Sequence, residues 1–139
     1  MKKYRAVYKK NGKYIVYDVS EIVFTETGVK ATDGKQTFLI DDLIVQLYLP
    51  YTTLDNKKIA EGDILIAPKK NGEKRPIIYY QIRRRGKTFG IYSLDGEPAK
   101  EKIKDKTFYA IGNIHDDVLK SALLDTQRFF SLRENRSSL

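Results

Sequence analysis

The sequence predicts a mainly β protein of α+β type. The expected parts are an N-terminal antiparallel β-meander, an SH3-like β-barrel in the second half and a C-terminal α-helix. Three observations carry this. Short β-branched and aromatic runs recur through residues 4–114, separated by Asn-Gly, Asp-Gly and related turn dipeptides. From Val118 onward the apolar period becomes helical. A chain of 139 residues, 41% hydrophobic and 32% charged, suits one compact domain or one domain with an appendage. The expected organisation is a meander over 1–50, a barrel over 51–117, and a helix and tail over 118–139.

Residues 4–19 read as a hairpin. Asn11-Gly12 suits a two-residue loop with positive φ at both positions. That loop sets Tyr8 opposite Ile15, Val7 opposite Val16, Ala6 opposite Tyr17 and Arg5 opposite Asp18. Apolar residues then meet apolar ones, and the charged pair is of opposite sign. Ile22-Val23-Phe24, Val29-Lys30-Ala31 and Phe38-Leu39-Ile40 follow as short strands between turn signals. Residues 41–50 fit two descriptions. Asp41-Asp42 can cap a helical turn, or Leu43-Ile44-Val45 and Leu47-Tyr48-Leu49 can form a buried strand. Pro50 is expected to end either one. Residues 51–62 read as a loop around Asp55-Asn56.

In the second half Ile64-Leu65-Ile66-Ala67 is a strand stopped by Pro68. Residues 77–83 and 88–94 read as a hairpin turning at Arg85-Gly86. Its expected register sets Ile82 opposite Phe89 and Tyr80 opposite Ile91, with Tyr79, Gln81 and Tyr92 on the outer face. Asp95-Gly96 makes the next turn, residues 97–106 a charged connection, and 107–114 the last strand. Asp116 or Asp117 then caps a helix whose stripe is Leu119, Ala122, Leu123, Thr126 and Phe130. Phe129 and Leu132 lie beside that stripe.

The net charge is +8, and it is localised. Residues 1–67 carry 10 basic and 9 acidic side chains, and residues 88–139 carry 8 of each. Residues 68–87 carry Lys69, Lys70, Lys74, Arg75, Arg83, Arg84, Arg85 and Lys87 against Glu73 alone. A uniformly basic, histone-like chain is excluded. Lys69 to Arg75 form a loop and Arg83 to Lys87 a hairpin tip, joined by a strand about 20 Å long. The two clusters therefore belong to opposite ends of one strand. With Tyr79 and Tyr92 as stacking faces, they are the candidate nucleic-acid contacts. The structural alternative is a solvated loop plus charges that protect a strand edge.

The catalytic inventory is thin. No cysteine is present, so disulfides, thiolate metal sites and a cysteine nucleophile are excluded. His115 is the single histidine, at a strand-to-helix junction. Asp41-Asp42, Glu61 with Asp63, and Asp116-Asp117 are the carboxylate pairs an acid–base enzyme would need. Each also reads as a cap or a turn. No metal and no cofactor is expected. No signal-peptide pattern opens the chain and no apolar run approaches the ~20 residues that span a bilayer. The expected location is the cytoplasm.

Three segments carry a resemblance. They are Tyr4-Arg5-Ala6-Val7-Tyr8, then Tyr51-Thr52-Thr53-Leu54 with Lys58-Ile59-Ala60-Glu61-Gly62-Asp63-Ile64, then Ile111-Gly112-Asn113-Ile114-His115-Asp116. In order and spacing they resemble the YopX family of phage and prophage proteins. That family opens on Phe-Arg-Ala-Trp and carries Tyr-Thr-Gly-Leu, Glu-Gly-Asp-Ile and Gly-Asn-Ile-Tyr-Glu. Thr53 stands where the family usually has Gly, and Ala60 and His115 where it often has Tyr. The resemblance implies a small β-rich phage protein in a bacterial host cell, with no catalytic residues to carry over.

The motif residues Glu61, Gly62, Asp63, Gly112 and Asn113 read as structural. Gly62 permits a positive-φ turn. Glu61 and Asp63 are expected to accept backbone N–H bonds that lock it. The leading expectation is therefore a non-enzymatic accessory protein that binds a partner, either a second copy or a host or phage protein. Leu119, Leu123, Phe129 and Phe130 are the candidate partner-facing helix residues. Nucleic-acid binding is the alternative, and a carboxylate enzyme the third class.

Overall fold

The computed structural model describes residues 4–10, 13–19, 21–25, 28–32, 37–40, 44–69, 72 and 77–137. The chain is mainly β, with antiparallel sheets and one C-terminal helix. It divides into two compact units, Met1–Tyr48 and Leu49–Leu139.

The first unit holds β1 (Tyr4–Lys10), β2 (Lys13–Val19), β3 (Glu21–Thr25), β4 (Gly28–Thr32), β5 (Thr37–Ile40) and the first part of β6 (Ile44–Thr52). β1 and β2 pair in the predicted register, with Tyr8 opposite Ile15 and Arg5 opposite Asp18. The turn residues Asn11 and Gly12 lie outside the described residues. β3, β4 and β5 form a separate three-stranded antiparallel sheet.

β6 settles the ambiguity over residues 41–50 in favour of a strand. It pairs with β1, Tyr4 opposite Leu47 and Val7 opposite Ile44. Gln46 is buried at 1% exposure, and Arg5 Nε donates to its Oε1 at 2.6 Å. A buried amide needs such a partner. The capping expected of Asp41-Asp42 lies outside the described residues.

Pro50 does not end β6, contrary to expectation. The N–H groups of alternate strand residues point to the same edge. On the edge shared by residues 50 and 52, the Thr52 N–H goes to Asp105 Oδ1 at 2.7 Å rather than to a ladder partner. The missing proline N–H therefore breaks no ladder bond there.

The second unit holds the end of β6, then β7 (Lys58–Ala60), β8 (Asp63–Ile66), β9 (Tyr79–Arg85), β10 (Thr88–Ser93), β11 (Tyr109–Asn113) and α1 (Asp117–Ser137). β7 was not expected within the loop over 51–62. Three residues are too few to show alternation, but Ile59 and Ala60 are both fully buried. Four strands form a sheet in the order β10-β9-β8-β11, which is open, with β10 and β11 as its edges.

The second hairpin differs from the expected register by two residues. Ile91 stands opposite Ile82 and Gly90 opposite Arg83, around a Gly86-Lys87 loop. Gly86 has φ +61° and Lys87 a negative φ. A type II′ loop wants glycine at its first central position, which selects Gly86-Lys87 over Arg85-Gly86.

Both faces of β9 are covered. One core cluster gathers Leu49, Ile59, Leu65, Tyr80, Ile82, Ile91 and Phe108. Tyr80 and Phe108 meet edge to face at 6.0 Å. On the other face Ile64, Tyr79 and Leu94 pack with Leu119, Leu123 and Leu124 of α1. Among the described residues no helix is long and apolar enough to cross a membrane.

Candidate functional site

Gly62 is a crossing point of the second unit. Its φ is +85°, as the motif predicts. Its N–H donates to the Ile82 carbonyl at 2.8 Å, and its own carbonyl accepts from the Ile114 N–H at 2.9 Å. One residue thus ties the turn before β8 to β9 and to the segment after β11. Asp63 is 3% exposed, and its Oδ2 accepts the Ala60 N–H at 2.8 Å, locking the turn as expected.

The Glu61 carboxylate engages Arg84, which sequence reasoning did not foresee. Arg84 Nη2 lies 2.9 Å and Nε 3.0 Å from Glu61 Oε2. Asn113 Oδ1 accepts the His115 N–H at 3.1 Å, and the Asn113 carbonyl accepts the Asp116 N–H. Asp116, not Asp117, caps the helix, since its Oδ1 accepts the Leu119 N–H at 3.1 Å. Glu61, Asp63 and Asp116 thus each hold a structural partner. Among the described residues no three metal-ligating side chains gather. Asp41 and Asp42 lie outside the described residues.

The turn between β6 and β7 is closed by Thr53, which is fully buried. Its hydroxyl donates to Asp55 Oδ1 and accepts the Lys57 N–H at 2.9 Å. The hydroxyl bond holds the Asp55 carboxyl below the usual carboxylate range. Asn56 takes φ +65° inside this turn, a conformation Asn tolerates.

Among the described residues, Lys69 and the hairpin-tip cations do not form one patch. Lys69 follows β8, whose Ile66 pairs with Tyr79 at the start of β9. Arg85 and Lys87 stand at the opposite end of β9, about 20 Å away at 3.3 Å per residue. Lys70, Lys74 and Arg75 lie outside the described residues. At the tip Arg83, Arg85 and Lys87 are exposed, and Arg84 is held by Glu61. The Arg83 guanidinium sits 5.9 Å from the Tyr92 ring centre.

Tyr79 and Gln81, expected on an outer face, are instead buried, at 7% and 2% exposure. Tyr79 packs under α1, where its N–H meets Gln127 Oε1 at 3.1 Å, and Gln81 Nε2 donates to the Ser93 carbonyl. The helix covers the expected outer face at Tyr79, so Tyr79 offers no stacking surface.

α1 docks on its own unit through Leu119, Leu123, Leu124 and Gln127. Ala122, expected in the stripe, is exposed. The contact face runs through Leu124 and Gln127 instead because the helix crosses Tyr79 and Leu94. Phe129 is 61% and Val118 82% exposed. The side chain of Phe130 lies outside the described ones.

A groove of about 630 Å³ opens beside β10, which the sequence did not disclose. Leu49, Tyr51, Phe89, Ile91 and Ile103 form its floor, and all of them belong to the core cluster or pack against it. Arg85, Glu101 and Lys102 are the exposed charged residues at its rim. The charged connection over 97–106 builds one wall. It turns back at Gly96, φ +95°, and runs briefly along β10. There Ser93 N–H donates to the Glu97 carbonyl, Ala99 N–H donates to the Ile91 carbonyl, and Tyr92 bridges Pro98. A volume of this size with an apolar floor and a few polar groups is the usual form of a ligand site.

Compared with known proteins, the chain matches no family model, no curated protein and no solved structure.

Proposed function

We propose that the chain is a non-enzymatic accessory protein of YopX type, of phage or prophage origin, that acts in the bacterial cytoplasm as a protein-interaction module. Its partner is a host or phage protein or a second copy of itself. The groove beside β10 is the observation that carries this reading, because it exposes part of the core cluster under a charged rim. The polar motif residues hold internal bonds instead. The positive φ of Gly62 and the Asp63 bond support the structural role read for the Glu-Gly-Asp element from its residues. An SH3-like arrangement belongs to the same proposal, supported by five short strands, β7 to β11, in one unit.

The test places a photo-crosslinking amino acid at Ile103 or at Lys87 in living bacterial cells. The expected result is a discrete protein adduct from position 103 that Phe89→Glu abolishes, with the adduct then reconstituted from purified components. No adduct from position 103 overturns the reading.

One observation favours nucleic acid as a second reading. Arg83, Arg85 and Lys87 are exposed together at the hairpin tip. If the tip binds nucleic acid, crosslinks from Lys87 carry it. Retention then falls steeply with salt, and changing Arg83, Arg85 and Lys87 to Ser removes it.

A further inference from the structure

β10 is an edge strand, and its outer edge is only partly used. Ser93 and Ile91 turn their backbone groups outward, to Glu97 and Ala99. By the alternation of an antiparallel strand, Phe89 turns its N–H and C=O to the same edge. The segment over 97–99 stops short of it. Among the described residues no hydrogen bond reaches that outward pair. The groove floor lies beside this open stretch, and Phe89 itself lines it. An unpaired strand edge next to an apolar groove is the arrangement that accepts an added strand.

We propose that the groove takes an extended peptide segment of a partner protein, added as a strand along β10 at Phe89. The segment carries an apolar anchor residue for the floor and an acidic residue for Arg85 and Lys102. The choice of an acidic segment follows from the rim, where two cations outnumber Glu101. Backbone pairing at Phe89 supplies affinity, and the floor and rim supply selection. The inference rests on the interaction-module reading and names the partner chemistry for the same groove.

The experiment uses the full chain and two synthetic peptides. Both alternate Val and Thr, one flanked by Glu and the other by Lys. Fluorescence anisotropy reads affinity, and amide hydrogen exchange reads the Phe89 N–H. The Glu peptide is expected to bind about tenfold tighter than the Lys peptide, a difference the two rim cations can supply. Bound peptide slows exchange at Phe89, and N-methylation of the peptide backbone abolishes binding. Arg85→Glu with Lys102→Glu inverts the preference, and a circular dichroism spectrum shows that this variant folds.

Equal binding of both peptides, binding without protection at Phe89, or no binding overturns the proposal. Light scattering that shows a dimer dispersed by Phe89→Glu assigns the groove to a second copy and also overturns it. A protein adduct from position 103 together with failure of the peptides leaves the module standing and removes the strand-addition mode.

Discussion

Leu119 occupies the space that a side chain on Gly112 would need. A Cβ on Gly112 would overlap Leu119 Cδ2, with Leu119 Cγ only 3.6 Å away. The helix therefore packs on β11 at a position where a side chain would force Leu119 to shift.

Gly112→Ala is expected to destabilise the chain by about 1–3 kcal/mol, the usual cost of overpacking. Leu119→Ala is expected to cost about 2–3 kcal/mol, the low end for a residue only partly buried. The double variant should be less destabilised than the sum of the two, because the new methyl fills space Leu119 vacates. Urea unfolding of all four proteins checks this, and strict additivity would show that the two residues do not share that space.

Asp116→Ala is expected to cost about 0.5–2 kcal/mol through loss of the cap on Leu119 N–H. Asp117→Ala removes only a charge in the first helical turn and is expected to cost less than about 1 kcal/mol. Thermal unfolding of the two variants ranks them, and the reverse order would move the cap to Asp117.

The Thr53 hydroxyl lowers the Asp55 carboxyl pKa in the folded chain. Its contribution is then fully present above the unfolded value of about 3.9 and is lost as pH falls through the folded value. Thr53→Val is expected to return the Asp55 midpoint towards the ordinary range, and to flatten the dependence of stability on pH across the acid side. A carboxyl-carbon NMR titration of both proteins reads the midpoint directly, and an unmoved midpoint would assign the shift to another cause.

Glu61 and Arg84 are linked in a partly exposed pair. A double-mutant cycle with Glu61→Gln and Arg84→Gln is expected to give a coupling of about 0.2–1 kcal/mol that falls at high salt. Glu61→Gln also leaves the hairpin tip more positive. If the tip binds nucleic acid, retention at low salt rises in this variant; unchanged retention counts against that reading.

The β1–β2 register was legible because an Asn-Gly loop and two alternating strands leave one sensible pairing. The β9–β10 register was legible only to within two residues. Apolar pairing alone does not carry the preference of a II′ loop for glycine first, which points to Gly86-Lys87. β7 was hidden by its length. The groove was hidden because its floor comes from β6, β10 and the segment over 97–106, and no local pattern joins them.

Features decided between near neighbours in the chain were legible without any knowledge of the fold. The first hairpin, the positive φ of Gly62 and the start of the helix beside Asp116-Asp117 are of this kind, since turn and cap energies depend on a few adjacent residues. Tertiary structure alone decided that β6 is a strand, because β1 pairs with it from forty residues away. It alone buried Tyr79, by laying α1 over a face that alternation marks as outer. It also divided the basic stretch, holding Arg84 on Glu61 and leaving Arg83, Arg85 and Lys87 in water. Burial and charge pairing depend on which remote segment arrives to cover a face, and a period of two or 3.6 residues carries no record of that.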